Sequence, residues 1–254
     1  MKRRLISFLI LFIFFHPVRS FAQQQKITVA VAANMQYAFN ELKNDFENKY
    51  HIRVDAVIGA SGNLTRQIIQ GAPFDIFISA DTKYPENIFT EGLAAEKPKV
   101  YARGALVLWT TKDGFQLHTD LRFLLSNKVK SIAIANPKIA PYGTAAEALL
   151  KKFALFERLK NKIVYGESIS QTSQFIATAN ADVGFTAKAV VLSNQMKRRG
   201  RWIELDSKDY PPIYQSAVLL KFGNKNHSSA SKQFYEFLFS KNALDIYKKY
   251  GYIN

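Results

Sequence analysis

The chain has 254 residues, 48% of them hydrophobic, a formal net charge of +15 and no cysteine. That length supplies a core for one or two domains, and the lack of cysteine excludes both a disulfide framework and a lipid-bearing cysteine at a leader cleavage site. The positive charge is compatible with nucleic acid, with small anions or with plain solubility, but the densest basic run, Lys197-Arg198-Arg199-Gly200-Arg201, lacks interleaved aromatics and reads as a solvated loop, so no nucleic-acid partner is expected.

In chain order, Lys2, Arg3 and Arg4 precede an apolar run over residues 5–15, and Ser20-Phe21-Ala22 offers a small-x-small cleavage site. This is the pattern of a signal peptide over residues 1–22, cleaved before Gln23. Its apolar run is shorter than the roughly 20 residues that span a bilayer. The leader carries four positive residues (Arg19 is the fourth) and no acid, which leaves +11 on the exported part. A soluble periplasmic protein is the expectation.

Residues 27–32 read as a buried strand, with Asn34 as a candidate N-cap. Met35, Ala38, Phe39, Leu42 and Phe46 follow at helical spacing. A second strand covers 51–58. The stretch Val57-Ile58-Gly59-Ala60-Ser61-Gly62-Asn63-Leu64 then turns sharply through small residues into a helix over 61–70. Such a turn presents unpaired N–H groups and the positive end of a helix dipole, so it can hold an anion. Its small residues allow close approach to the backbone. Residues 74–78 form a third strand, ending at Ser79-Ala80-Asp81.

Residues 100–110 form a longer extended run, able to leave one sheet and enter another. The alternation then restarts: a strand at 131–135, a helix from Gly143-Thr144 to Phe153, a strand at 162–165, a helix at 170–179, a strand at 182–186, a helix at 187–196 and a strand at 202–205. Residues 214–222 form a second extended run that could carry the chain back, before helices near 229–239 and 243–249. The pattern predicts an α/β protein of two lobes, each a mostly parallel sheet flanked by helices, joined by two crossover segments. Lobe 1 comprises residues 23–104 and 218–254, and lobe 2 residues 105–217.

Four strand-to-helix turns, two from each lobe, stand where ligands of open α/β sheets bind. They are Ala33-Asn34, Ala60-Ser61-Gly62, Pro141-Tyr142-Gly143 and Ser168-Ile169-Ser170. None contains a charged side chain or a histidine. N–H groups with a few hydroxyls and amides suit a small, fully ionised oxyanion, because no buried countercharge has to be desolvated. A protonated phosphate would want an acceptor that these turns do not visibly supply.

The motifs Ile27-Thr28-Val29, Ala32-Ala33-Asn34, Ala60-Ser61-Gly62-Asn63-Leu64, Arg66-Gln67-Ile68, Gly71-Ala72-Pro73 and Asp75-Ile76-Phe77-Ile78-Ser79-Ala80-Asp81 resemble the N-terminal half of the periplasmic molybdate-binding proteins of ABC importers. Pro137, Pro141, Gly143 and the closing Lys249-Tyr250-Gly251 fit the same family. The resemblance implies the type II periplasmic-binding-protein fold and anion ligands at Asn34, Ser61, Tyr142 and Ile169, with Ala33 adjacent. Asn34 and Ser61 would give side-chain donors and all four would give backbone N–H groups. It implies molybdate or tungstate held through its oxygens, an importer permease as membrane partner, a monomer, no catalytic residue and no further cofactor. Many relatives have Ser where this chain has Asn34. Ala187 stands where some relatives place a tyrosine hydroxyl, for which Tyr142 is a candidate substitute.

Two other readings are weighed against this one. Another oxyanion such as sulfate is the nearest. A serine hydrolase is the other, since Gly59-Ala60-Ser61-Gly62-Asn63 is one residue short of a nucleophile elbow, and Asp206 or Asp209 and then His227 follow in chain order. Only two strands precede Ser61, which counts against the hydrolase. The isolated His51, His118 and His227 read as surface or structural residues, and Asp75 and Asp81 as turn and cap residues.

Overall fold

Residues 25–253 are described by a computed structural model of the chain, and the expected signal peptide, residues 1–22, lies outside them. The apolar runs and the amphipathic segments between them build two five-stranded sheets. The first part of the chain gives β1 (Lys26–Ala32), α1 (Gln36–Tyr50), β2 (Arg53–Gly59), α2 (Ser61–Ile69), β3 (Ile76–Ser79), α3 (Lys83–Thr90) and β4 (Lys99–Gly104). The middle gives β5 (Leu106–Thr110), β6 (Ile132–Ala135), α4 (Pro141–Lys152), α5 (Phe156–Leu159), β7 (Ile163–Gly166), α6 (Ile169–Ala177), β8 (Val183–Ala187), α7 (Lys188–Val191) and β9 (Arg201–Glu204). The chain closes with β10 (Ile213–Leu219), α8 (Lys221–Asn226), α9 (Ser228–Phe237) and α10 (Lys241–Lys249).

The first sheet runs β2-β1-β3-β10-β4 and the second β7-β6-β8-β5-β9. In each, three parallel strands are extended by two antiparallel pairings. Helices cover both faces, so the central strands are apolar on both sides instead of alternating. All of β3, β6 and β8 is buried. In lobe 1, α1 lays Phe39 and Phe46 against Phe234 of α9, with Phe46 and Phe234 edge to face at 4.8 Å. On the other face Leu64 and Ile68 of α2 meet Ile88 of α3. The lobe 2 core is built on Trp109, Ile132, Ile134, Leu149 and Ile176. Ala32, Ala33, Ala60 and Ala80, all at strand ends of lobe 1, join that same cluster, so apolar packing is continuous across the cleft.

Several boundaries differ from the sequence expectation. The extended run at 100–110 is broken at Ala105 into β4 and β5, one in each sheet. The return strand β10 begins at Ile213 and lies wholly in the first sheet, so residues 213–217 belong with lobe 1 and not with lobe 2. Beyond it the chain turns helical at Lys221 instead of staying extended to 222. The helix expected over 187–196 stops at Val191, where Ser193 Oγ donates back to Val190 O and competes with the helical pattern. Helix α3 had no counterpart in the sequence reading; Pro85 inside its first turn hid the periodicity.

Candidate functional site

The four turns named from the sequence converge where the lobes meet. They enclose a cavity of only about 10 Å³, whose walls include Ala33, Asn34, Ser61, Tyr142 and Ile169. Pockets for drug-sized organic ligands run to roughly 300–1,000 Å³, so this one is far too small for an organic molecule. No Lys, Arg, His, Asp or Glu of the described residues lines it.

Each wall residue is placed by a strand end. Ser61 is the first residue of α2, after β2 has run out at Gly59. Ser61 is not the cap; Ala60 holds that position. The Ser61 hydroxyl is buried and accepts a hydrogen bond from Ala80 N at 3.1 Å, which fixes the oxygen and leaves its own proton free. Tyr142 is in the first turn of α4, behind Pro141 at a helix start that proline favours. Ile169 opens α6, capped by Ser168 Oγ, which accepts from Gln171 N at 3.3 Å. The Ile169 side chain is in the lobe 2 core while its N–H stands at the helix end. The first-turn N–H groups of these helices have no intrahelical acceptor.

Asn34 behaves differently. It lies in a 3-10 turn over Ala33–Met35 and caps nothing. Its side chain is buried, and Nδ2 donates to Gln215 Oε1 at 2.7 Å and to Tyr252 Oη at 2.9 Å. Tyr252 Oη in turn donates to the Asn34 carbonyl at 3.2 Å. The orientation is determined by the next shell. Gln215 Nε2 donates to Ile213 O and Ala80 O, so its oxygen must face Asn34. Both amide hydrogens of Asn34 are therefore taken. Of the two side-chain donors implied by the resemblance, only Ser61 keeps a hydrogen for a ligand. Asn34 can offer its N–H.

Sequence reasoning missed Gln215 and Tyr252. Gln215 stands at a bulge in β10, where the register against β4 shifts; a buried Gln-Ser pair inside an apolar strand is the signal that could have revealed it. Tyr252 has no such signal. Gly62 was also read differently. Its N–H donates across the cleft to Ile139 O at 2.9 Å, so its lack of a side chain serves the approach of the lobes and not that of a ligand. Tyr84 Oη to Lys138 O at 3.2 Å and Ser170 Oγ to Gln36 Oε1 at 2.5 Å are further bonds between lobes.

Burial pushes the Tyr142 phenol well above its usual range, and Tyr252 and Tyr210 add to this. Burial also raises Tyr252, with Asn34 opposing. At the cleft edge, burial raises Asp81, against the Tyr84 N–H and the Ser79 hydroxyl that favour its ionised form. Asp81 accepts from Tyr84 N in the first turn of α3, as a capping residue does.

The residues of a hydrolase are not assembled. His227 Nδ1 pairs with Asp75 Oδ1 at 2.6 Å, and Asp209 pairs with Lys152 Nζ at 2.8 Å. Among the described residues no group of three His, Cys, Asp or Glu could hold a metal ion.

Residues 27–253 match the family model of bacterial extracellular solute-binding proteins. The molybdate-binding protein of Azotobacter vinelandii is 38% identical over 91% of each chain. That of Rhodobacter capsulatus is 40% identical over 90% of this chain and 88% of its own. The solved periplasmic molybdate-binding protein of Azotobacter vinelandii superposes with a TM-score of 0.84 at 32% identity, over 90% of this chain and 99% of that one.

Proposed function

The chain belongs to the bacterial extracellular solute-binding proteins, in the group of periplasmic molybdate-binding proteins, and from that premise we propose that it captures molybdate, or tungstate of nearly the same size and charge, between its lobes and delivers it to the permease of an ABC importer. The observation that carries this reading is the convergence of four helix-start turns, two from each lobe, on one small cavity without a charged side chain.

The physical case runs from donors to selectivity. Hydrogen bonds to a charged group contribute roughly 1.5–3 kcal/mol each, and a helix N-terminus adds roughly 0.3–1 kcal/mol, up to about 2 when partly buried. Within each lobe these donors are fixed by the fold before the ligand arrives, so only the closing of the lobes opposes binding. In this proposal Ser61 gives its hydroxyl and N–H, Asn34, Tyr142 and Ile169 give N–H groups, and Ala33 shapes the wall. Because both lobes donate, the anion favours the conformation in which they meet. The crossovers near residues 105 and 212 are the hinge. The protein acts as an exported monomer in the periplasm, with the leader removed, and carries cargo without transforming it.

The test is calorimetric titration of the protein from Gln23 onward with molybdate, tungstate, sulfate and phosphate in parallel. Submicromolar binding of the first two with at least a hundredfold preference over the others is expected. A preference for sulfate or phosphate would overturn the assignment.

A further inference from the structure

The Tyr142 hydroxyl is buried and has no hydrogen-bond partner among the described residues. An unpaired buried hydroxyl is unfavourable, so what it touches deserves an explanation. A methyl group at Gly104 would overlap Tyr142 Oη, lie 3.0 Å from its Cζ and 3.1 Å from Gln215 Nε2. Gly104 is the last residue of β4, one residue before the chain crosses to lobe 2. Its φ is not among the positive glycine angles, so glycine stands there for room and not for backbone conformation.

We propose that Gly104 leaves a notch in the first crossover that the Tyr142 phenol fills, and that this fit sets how far the two lobes close on the oxyanion. The inference rests on the oxyanion reading above. Tyr142 belongs to lobe 2, while Gly104 and Gln215 are in strands of the lobe 1 sheet. One residue thus reaches both ends of the closing motion: its N–H is in the first turn of α4 at the cavity, and its hydroxyl is at the hinge. Filling the notch would push α4 outward, separating its N–H from the Ser61 donors across the cavity. Gly104 is a positioning residue that touches no ligand.

The test compares wild type, Gly104→Ala and Gly104→Ala/Tyr142→Phe by thermal melting, anion titration and small-angle scattering. Gly104→Ala should fold, bind molybdate at least tenfold more weakly, and fail to reach the wild-type compaction at saturating molybdate. Removing the hydroxyl in the double variant should recover affinity and compaction in part, which a general loss of stability would not allow. Wild-type affinity and compaction in Gly104→Ala, or a double variant no better than the single one, would overturn the proposal. Should the wild type bind none of the four oxyanions, the functional reading fails on its own. Scattering of the anion-free proteins then decides: a larger radius of gyration for Gly104→Ala supports the notch, and equal radii refute it.

Discussion

Ser61 and Asn34 are both polar, both buried, and both stand at a turn after a strand of the same sheet, yet only one has a side-chain hydrogen to give. Ser61 is held by a donor, Ala80 N, which occupies its oxygen and leaves the proton free. Asn34 is held by acceptors, Gln215 Oε1 and Tyr252 Oη, which take both of its amide hydrogens. What a buried side chain can offer a ligand is decided by the polarity of the groups that anchor it. A site that must present donors is best supported from behind by other donors, and Asn34 serves instead as a keystone between β1, β10 and the C-terminus.

The sharpest way to break this comparison is to reverse the charge at the free donor. Ser61→Asp places a carboxylate beside the dianion, and like unit charges 4 Å apart repel by about 4 kcal/mol at an effective dielectric near 20, so affinity should fall by about a thousandfold or more. Titration measures it, and retained affinity would mean that Ser61 faces away from the ligand.

Next come the two alanine variants, which should differ most in affinity. Ser61→Ala removes a hydrogen bond to charge of roughly 1.5–3 kcal/mol, so molybdate binding should weaken by about ten- to a hundredfold, and it leaves the buried Ala80 N–H without its acceptor, at a cost in stability of roughly 1–3 kcal/mol. Asn34→Ala leaves Gln215 Oε1 buried without its donor at a cost of roughly 1–3 kcal/mol, so it should lower the denaturation free energy by that amount. Its affinity loss should be the smaller of the two. Equal affinity losses in both variants would show that the Asn34 amide binds the anion after all.

A smaller effect is expected from Tyr84→Phe, which deletes one bond between the lobes. At roughly 0.5–1.5 kcal/mol it should weaken binding by about two- to tenfold, mainly through faster release, as stopped-flow would show. The smallest effect is that of pH. The Tyr142 and Tyr252 phenols are raised by burial and stay protonated, and no histidine lines the cavity. Affinity should therefore change by less than about twofold between pH 6 and 8, whereas a titrating ligand would shift it by about tenfold.

The architecture could be read from local patterns because each βα unit carries its own period and its own turn. Segments 27–32, 74–78 and 131–135 are apolar runs bounded by small or polar residues, and β1, β3 and β6 lie there. The turns at Ser61, Tyr142 and Ile169 were legible for the same reason. What escaped is non-local. The bonds of Asn34 join residues 181 and 218 positions apart, and no periodicity reports such a pair. The return strand was misjudged because 214–222 is uniformly extended in pattern, while its register is set by pairing with β3 and β4.

The C-terminal segment has a consequence in time. Ile253 exchanges backbone hydrogen bonds with Arg103 beside the crossover, and Tyr252 completes the setting of Asn34. A chain made from its N-terminus exposes Asn34 early but cannot seat it until Tyr252, 218 positions further on, has been added. A chain clipped before Tyr252 keeps every strand of both sheets, the last of which closes at Leu219, and still lacks the setting of Asn34.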